Sequence, residues 1–107
     1  MDKLYKVRES LDSWRVDGLL ITSPANRRWL SGFTGSAGML LVTKESAILS
    51  TDSRYWEQAE RQAPDFELYR ARGDKDDFTK FLNQGGATRI GYESKHVSVA
   101  DFRRYQR

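Results

Sequence analysis

Met39-Leu40-Leu41-Val42-Thr43-Lys44-Glu45-Ser46-Ala47-Ile48-Leu49-Ser50-Thr51 reads as two β segments parted only by Lys44-Glu45-Ser46. So short a connection joins antiparallel neighbours, since a parallel pair needs a crossover of a dozen or more residues. Embedded among alternating helices and strands, the hairpin belongs to a mixed sheet covered by helices.

Reading toward the N-terminus, a loop of small residues, Phe33-Thr34-Gly35-Ser36-Ala37-Gly38, leads into the hairpin. Before it, Ser23-Pro24 opens a helix: the Ser hydroxyl can cap free N–H groups, and Pro at the first helical position loses no hydrogen bond. That helix runs through Trp29 and Leu30 and stops at Gly32. Leu19 to Thr22 is a short buried strand, with Gly18 ending the connection before it. Leu4, Val7, Leu11 and Trp14 recur at helical spacing on a surface-mounted first helix. Toward the C-terminus, Asp52 or Ser53 caps a helix that ends before Pro64. Phe66 and Leu68 alternate with Asp65, Glu67 and Tyr69 in a half-exposed strand ending near Arg70. Asp74, Asp76 and Asp77 start a fourth helix, where its dipole favours them, and Phe78, Phe81 and Leu82 form the buried stripe. Gly85-Gly86 ends it, and Arg89 to Glu93 is a fifth strand. Ser98 with Asp101 resembles a capping box before Phe102 and Tyr105. The chain ends at Arg107 with no C-cap, the expected look of a domain interrupted in or near a helix. The order α-β-α-β-β-α-β-α-β-α predicts an α/β fold, a mixed five-stranded sheet with helices on both faces.

Length and composition narrow the function. The 107 residues suit one domain, 38% of them hydrophobic and 31% charged. With no Cys there is no disulfide, thiol nucleophile or thiolate metal site, which fits the cytoplasm. The longest aliphatic run, Met39 to Val42, falls far short of the roughly 20 residues of a membrane span. A net charge of +3 is spread among interleaved acids, so nucleic acid is not the expected partner.

The glycines at 32, 35 and 38 lack the Gly-Lys-Ser/Thr of a phosphate loop and the Gly-x-Gly-x-x-Gly of a dinucleotide site. They also follow a helix and enter a strand, the reverse of either motif; tight backbone packing explains them. Ser36 sits in Gly-Ser-Ala-Gly, with Thr34 where a nucleophile elbow needs Gly. A Ser36, Asp52 and His96 triad can be written in chain order, but Ser36 is not on a strand-to-helix turn. One His and scattered carboxylates do not make a metal site. In Asp52-Ser53-Arg54-Tyr55 at a strand-to-helix junction, Arg54 could grip a carboxylate in a forked geometry. A helix cap with a surface ion pair explains the same residues.

Three stretches together resemble a known family: Asp17-Gly18-Leu19-Leu20-Ile21-Thr22-Ser23-Pro24-Ala25-Asn26, Trp29-Leu30-Ser31-Gly32-Phe33-Thr34-Gly35-Ser36-Ala37-Gly38, and Thr51-Asp52-Ser53-Arg54-Tyr55 with Gln58-Ala59. The chain is similar to the creatinase/prolidase N-terminal domain of Xaa-Pro aminopeptidases and Xaa-Pro dipeptidases (prolidases), with residues 1–107 forming that domain. The resemblance implies a three-layer α/β/α sandwich with a ribonuclease-H-like motif. It implies no catalytic residue and no metal ligand here. A C-terminal pita-bread domain outside this sequence would hold two divalent metal ions, manganese or cobalt, and hydrolyse peptide bonds preceding proline. The N-terminal domain would contact that catalytic domain, support a homodimer or higher oligomer and wall the active-site entrance. Phe33, Thr34, Ser36, Arg54 and Tyr55 are the expected contact residues. The competing reading is a free-standing domain that oligomerises through an exposed sheet or helix face.

Overall fold

The computed structural model describes residues 3–92. Its elements are α1 (Lys3–Ser13), β1 (Gly18–Ile21), α2 (Pro24–Ser31), β2 (Met39–Thr43), β3 (Ala47–Thr51), a 3-10 turn (Ser53–Tyr55), α3 (Trp56–Gln62), β4 (Glu67–Arg70), α4 (Asp77–Gly85) and β5 (Ile90–Tyr92). The expected helix at Ser98, and His96, lie outside the described residues.

The sheet has the order β4-β3-β2-β1-β5. β2 pairs antiparallel with both β1 and β3, while β4 runs parallel to β3 and β5 parallel to β1. Hence β2 alone runs against four strands of one direction. Alternation along the strands splits the apolar residues between two faces. Leu19, Ile21, Leu40, Val42, Ala47 and Leu49 join Leu4, Val7 and Leu11 of α1, Leu30 of α2 and Ala59 of α3 in the larger core. Leu41 and Ile48 point the other way, onto Phe81 of α4. Three helices therefore cover one face and α4 lies on the other, giving the α/β/α layering.

The start of α2 and the end of α1 have local causes. The Ser23 side chain accepts from the Asn26 N–H and Pro24 opens α2. α1 is closed by Arg15, in the left-handed region at φ 61°. The N–H of Val16 reaches the carbonyl of Leu11 at 3.1 Å and that of Arg15 reaches Asp12 at 3.0 Å. Arg15 thus makes the turn, and Gly18 ends the connection and begins β1. Gly18 has its own reason to be small: a Cβ there would sit 2.8 Å from Ala87 Cβ. The hairpin turn is held by Thr43 Oγ1, which accepts from the N–H groups of Glu45 at 3.2 Å and Ser46 at 2.9 Å.

Two expectations are corrected. Phe78 does not join the buried stripe; it is 46% exposed, whereas Phe81 is fully buried and Leu82 half-buried. Nor do the three aspartates simply cap α4. Asp76 makes no side-chain cap bond. Asp77 turns back and accepts from the N–H groups of Arg72, Gly73 and Asp74 at 2.9, 2.8 and 3.0 Å, and from Tyr69 Oη at 3.1 Å. Asp17 does the same work between β1 and β5, accepting from the N–H groups of Thr88 at 3.1 Å and Arg89 at 2.7 Å.

Phe81→Ala is expected to cost about 3–5 kcal/mol in urea denaturation, and Phe78→Ala less than about 0.5 kcal/mol. Acid sensitivity follows from the two clamps. For Asp17 and Asp77 partial desolvation raises the carboxyl pKa, but the hydrogen bonds they accept outweigh it and hold both below the ordinary value. A group with a depressed folded pKa stabilises fully above its unfolded value, about 3.9 for Asp, and loses that contribution as pH falls through the folded one. Asp77→Asn is therefore expected to lower stability at neutral pH and to flatten its fall below about pH 4. An acid limb as steep as that of the unaltered chain would contradict this.

Candidate functional site

The loop between α2 and β2 and the turn after β3 meet at one end of the sheet. Gly32 ends α2 in the left-handed region, φ 83°, with its N–H bonded to the carbonyl of Arg28. The next side chain, Phe33, turns inward and is 1% exposed. The loop then folds over the Phe33 ring: a Cβ on Gly35 would fall 2.3 Å from Phe33 Cζ, and one on Gly38 would meet the ring at 3.2 Å and the Ser50 carbonyl at 3.1 Å. The three-residue glycine spacing thus has a steric origin, a helix stop followed by two close approaches.

Beneath the loop lies Arg27, 3% exposed, which the sequence reading did not single out. Its Nη2 donates to the carbonyl of Gly35 at 2.8 Å, and its Nη1 to those of Gly38 at 2.9 Å and Thr22 at 3.3 Å. The guanidinium carbon stands 6.0 Å from the centre of the Phe33 ring. Position 27 falls three residues before Leu30 and so on the buried stripe of α2; that spacing was the available signal. Thr51 adds a further tie, its hydroxyl donating to the Ala37 carbonyl at 2.7 Å.

The outer face of the loop is polar and internally bonded. The hydroxyls of Ser36 and Tyr55 lie 2.5 Å apart. Tyr55 stands edge-on to Phe33, with centroids 5.9 Å apart and an interplanar angle of 83°. Thr34 donates its N–H to Gln62 Oε1 at 2.9 Å, and its hydroxyl accepts from Gln58 Nε2 at 3.1 Å. Asp52 caps the 3-10 turn through the Arg54 N–H at 3.1 Å and takes the Arg54 guanidinium in a forked pair, both bonds 3.0 Å. Beside this face an open cleft of about 400 Å³ is lined by Asp52, Ser53, Trp56, Ala71, Arg72 and Gly73.

Of the expected contact residues, Thr34, Ser36, Arg54 and Tyr55 share this face, and Phe33 is the core anchor beneath it. The Arg54 fork already holds the carboxylate of Asp52, so the cap-and-ion-pair reading describes it. Hydrogen bonding from Arg54 keeps the Asp52 carboxyl below its ordinary value, and the Ser36 hydroxyl does the same for the Tyr55 phenol. Ser36 therefore faces a phenol and Asp52 an arginine, not each other. Among the described residues no group of three His, Cys, Asp or Glu side chains could share a metal ion. No helix among them is long and apolar enough to cross a membrane.

The steric account makes a direct prediction. Gly35→Ala is expected to cost about 1–3 kcal/mol through overpacking on the Phe33 ring, and less in a Phe33→Leu background. Thermal denaturation of the double-mutant cycle measures this; equal costs in both backgrounds would contradict it.

The sequence matches the family described as creatinase/prolidase N-terminal domain over residues 3–107. It is 36% identical over 104 residues to the uncharacterized peptidase YqhT of Bacillus subtilis (strain 168), covering 96% of this chain and 30% of that protein. The fold is similar to that of the Xaa-Pro dipeptidase from Bacillus anthracis, with a TM-score of 0.84 and 33% identity, covering 95% of this chain and 29% of the other. It is also similar to the N-terminal domain of cytoplasmic peptidase PepQ from Mycobacterium tuberculosis H37Rv, with a TM-score of 0.75 and 36% identity, covering 91% and 76%. The chain thus spans less than a third of the length of the first two relatives, as their N-terminal portion. It belongs to the creatinase/prolidase N-terminal domain family.

Proposed function

We propose that this chain is the non-catalytic N-terminal domain of a metal-dependent Xaa-Pro peptidase, an aminopeptidase P or a prolidase. The parent enzyme would hydrolyse peptide bonds preceding proline. The observation that carries the reading is the state of the loop face. Ser36 is bonded to Tyr55, Asp52 to Arg54, and Thr34 to Gln58 and Gln62. Side chains committed to one another in this way form a stiff wall and, among the described residues, leave no general base beside a nucleophile. In this reading Thr34, Ser36, Arg54 and Tyr55, anchored by Phe33, face the catalytic domain of the same or a neighbouring subunit and narrow access to its active site.

In this reading the two divalent metals, manganese or cobalt, would be held by the C-terminal domain, and a similar N-terminal domain whose parent is described as a metallopeptidase supports metal dependence. Exposed Tyr5, Trp29 and Phe78 support protein contacts of the kind a dimer or higher oligomer makes. A cysteine-free sequence and a relative described as cytoplasmic support the cytoplasm as its location.

The test is an assay of the pure 107-residue chain on Xaa-Pro dipeptides and longer Xaa-Pro peptides, with and without manganese. No turnover is expected from this chain, and turnover is expected from a polypeptide extended to the length of its relatives. Cleavage by the 107-residue chain itself would overturn the proposal.

A further inference from the structure

We infer that Arg27 is a positioning residue for the loop face: its buried guanidinium fixes the backbone that sets the Ser36 hydroxyl against the Tyr55 hydroxyl. The functional importance of that face rests on the preceding proposal, whereas the structural coupling does not.

The geometry is specific to a forked cation. One guanidinium nitrogen holds the carbonyl of Gly35 and the other that of Gly38, at 2.8 and 2.9 Å. These two carbonyls bracket Ser36 and Ala37, so both ends of the segment carrying the Ser36 side chain are tied to one rigid plane. The third carbonyl, of Thr22, belongs to the junction of β1 and α2, so the same plane is tied to the sheet at 3.3 Å. Arg27 itself grows from α2, and the carbonyl of the same residue accepts from Ser31 Oγ at 2.7 Å, which in turn accepts from the Phe33 N–H at 3.1 Å. The start of the loop is therefore referred to the same helical turn as its middle and end.

A charge this deeply buried is costly unless its donors find acceptors. Here carbonyl dipoles supply them for Nη1 and Nη2, and those carbonyls would otherwise be turned inward without strand partners. The arrangement is mutual: the loop solvates the cation, and the cation keeps the loop carbonyls pointed inward. Lysine cannot replace it, since one ammonium on a flexible stem lacks the planar fork that spans Gly35 and Gly38. The outward consequence is the 2.5 Å contact of Ser36 with Tyr55, whose ring rests on Phe33. Arg27 touches neither hydroxyl and acts only through the backbone.

The phenol of Tyr55 reports the coupling, since the Ser36 hydrogen bond holds its titration below the ordinary tyrosine value. The experiment follows the Tyr55 ring carbon by NMR across alkaline pH in the 107-residue chain, with Tyr55→Phe to assign the signal. Arg27→Met is expected to move the Tyr55 titration upward, by as much as Ser36→Ala does. In the Ser36→Ala background Arg27→Met is expected to move it no further, which separates positioning from direct loss of a nearby charge. Arg27→Lys is expected to fall between the unaltered chain and Ser36→Ala, and it replaces Arg27→Met in the cycle if that variant does not fold. An unchanged Tyr55 titration in the folded Arg27 variant, or a shift that persists in full without the Ser36 hydroxyl, would overturn the inference. Neither result depends on peptidase activity, so this inference and the functional reading can fail separately.

Discussion

Both faces of the β2–β3 hairpin must be kept from water, and the rest of the molecule is arranged around that requirement. Leu40, Val42 and Leu49 face three helices, while Leu41 and Ile48 face α4. Burying such a pair of strands on one side only would leave several aliphatic side chains exposed, each worth about 1.5–3 kcal/mol when fully buried. The connections follow from it. α2 must lie on one face and deliver the chain to the start of β2, and the 3-10 turn must carry it from the end of β3 to α3. These two connections reach the same end of the sheet, which is why the loop face exists there.

That face is an extension of the core. Phe33 is a core side chain with a polar loop wrapped over it, and Arg27 is a charged side chain on the buried stripe of α2. The glycines let the backbone close over the ring, the guanidinium satisfies the inward carbonyls, and the hydroxyls of Ser36 and Tyr55 are what remain outside. A surface so braced costs little ordering entropy when another domain or a ligand meets it.

Much of this was legible in the sequence, and the exceptions have physical reasons. The hairpin, the Ser23-Pro24 start and the Gly32 stop were readable because each is written by local rules: a short connection, a capping hydroxyl, a left-handed residue. Phe78 misled because helical periodicity assigns a face and not the extent of the surface that covers it; Phe78 is left exposed while Phe81, one turn on, is buried. Arg15 taking the left-handed position ahead of Gly18 could not be read from propensity, since tertiary packing of Trp14 and Val16 sets where the chain must turn. At the loop face, Ser36, Arg54 and Tyr55 stood out by residue type. Arg27 did not, because a charged residue between polar neighbours reads as solvated, and only its three-residue spacing from Leu30 marks it as internal. The ties from Thr51 to Ala37 and from Gln62 to Thr34 join positions far apart in the chain, beyond any pattern read from neighbouring residues.

The central claim is that residues 33–38 form a rigid wall fixed from within. Backbone nitrogen relaxation measured across the chain tests it most directly. The account predicts order parameters in this loop equal to those of α2 and β2, near about 0.85, despite its glycines and its lack of regular structure. Values below about 0.6 at Gly35, Ser36 and Ala37 would show an ordinary mobile loop and contradict it.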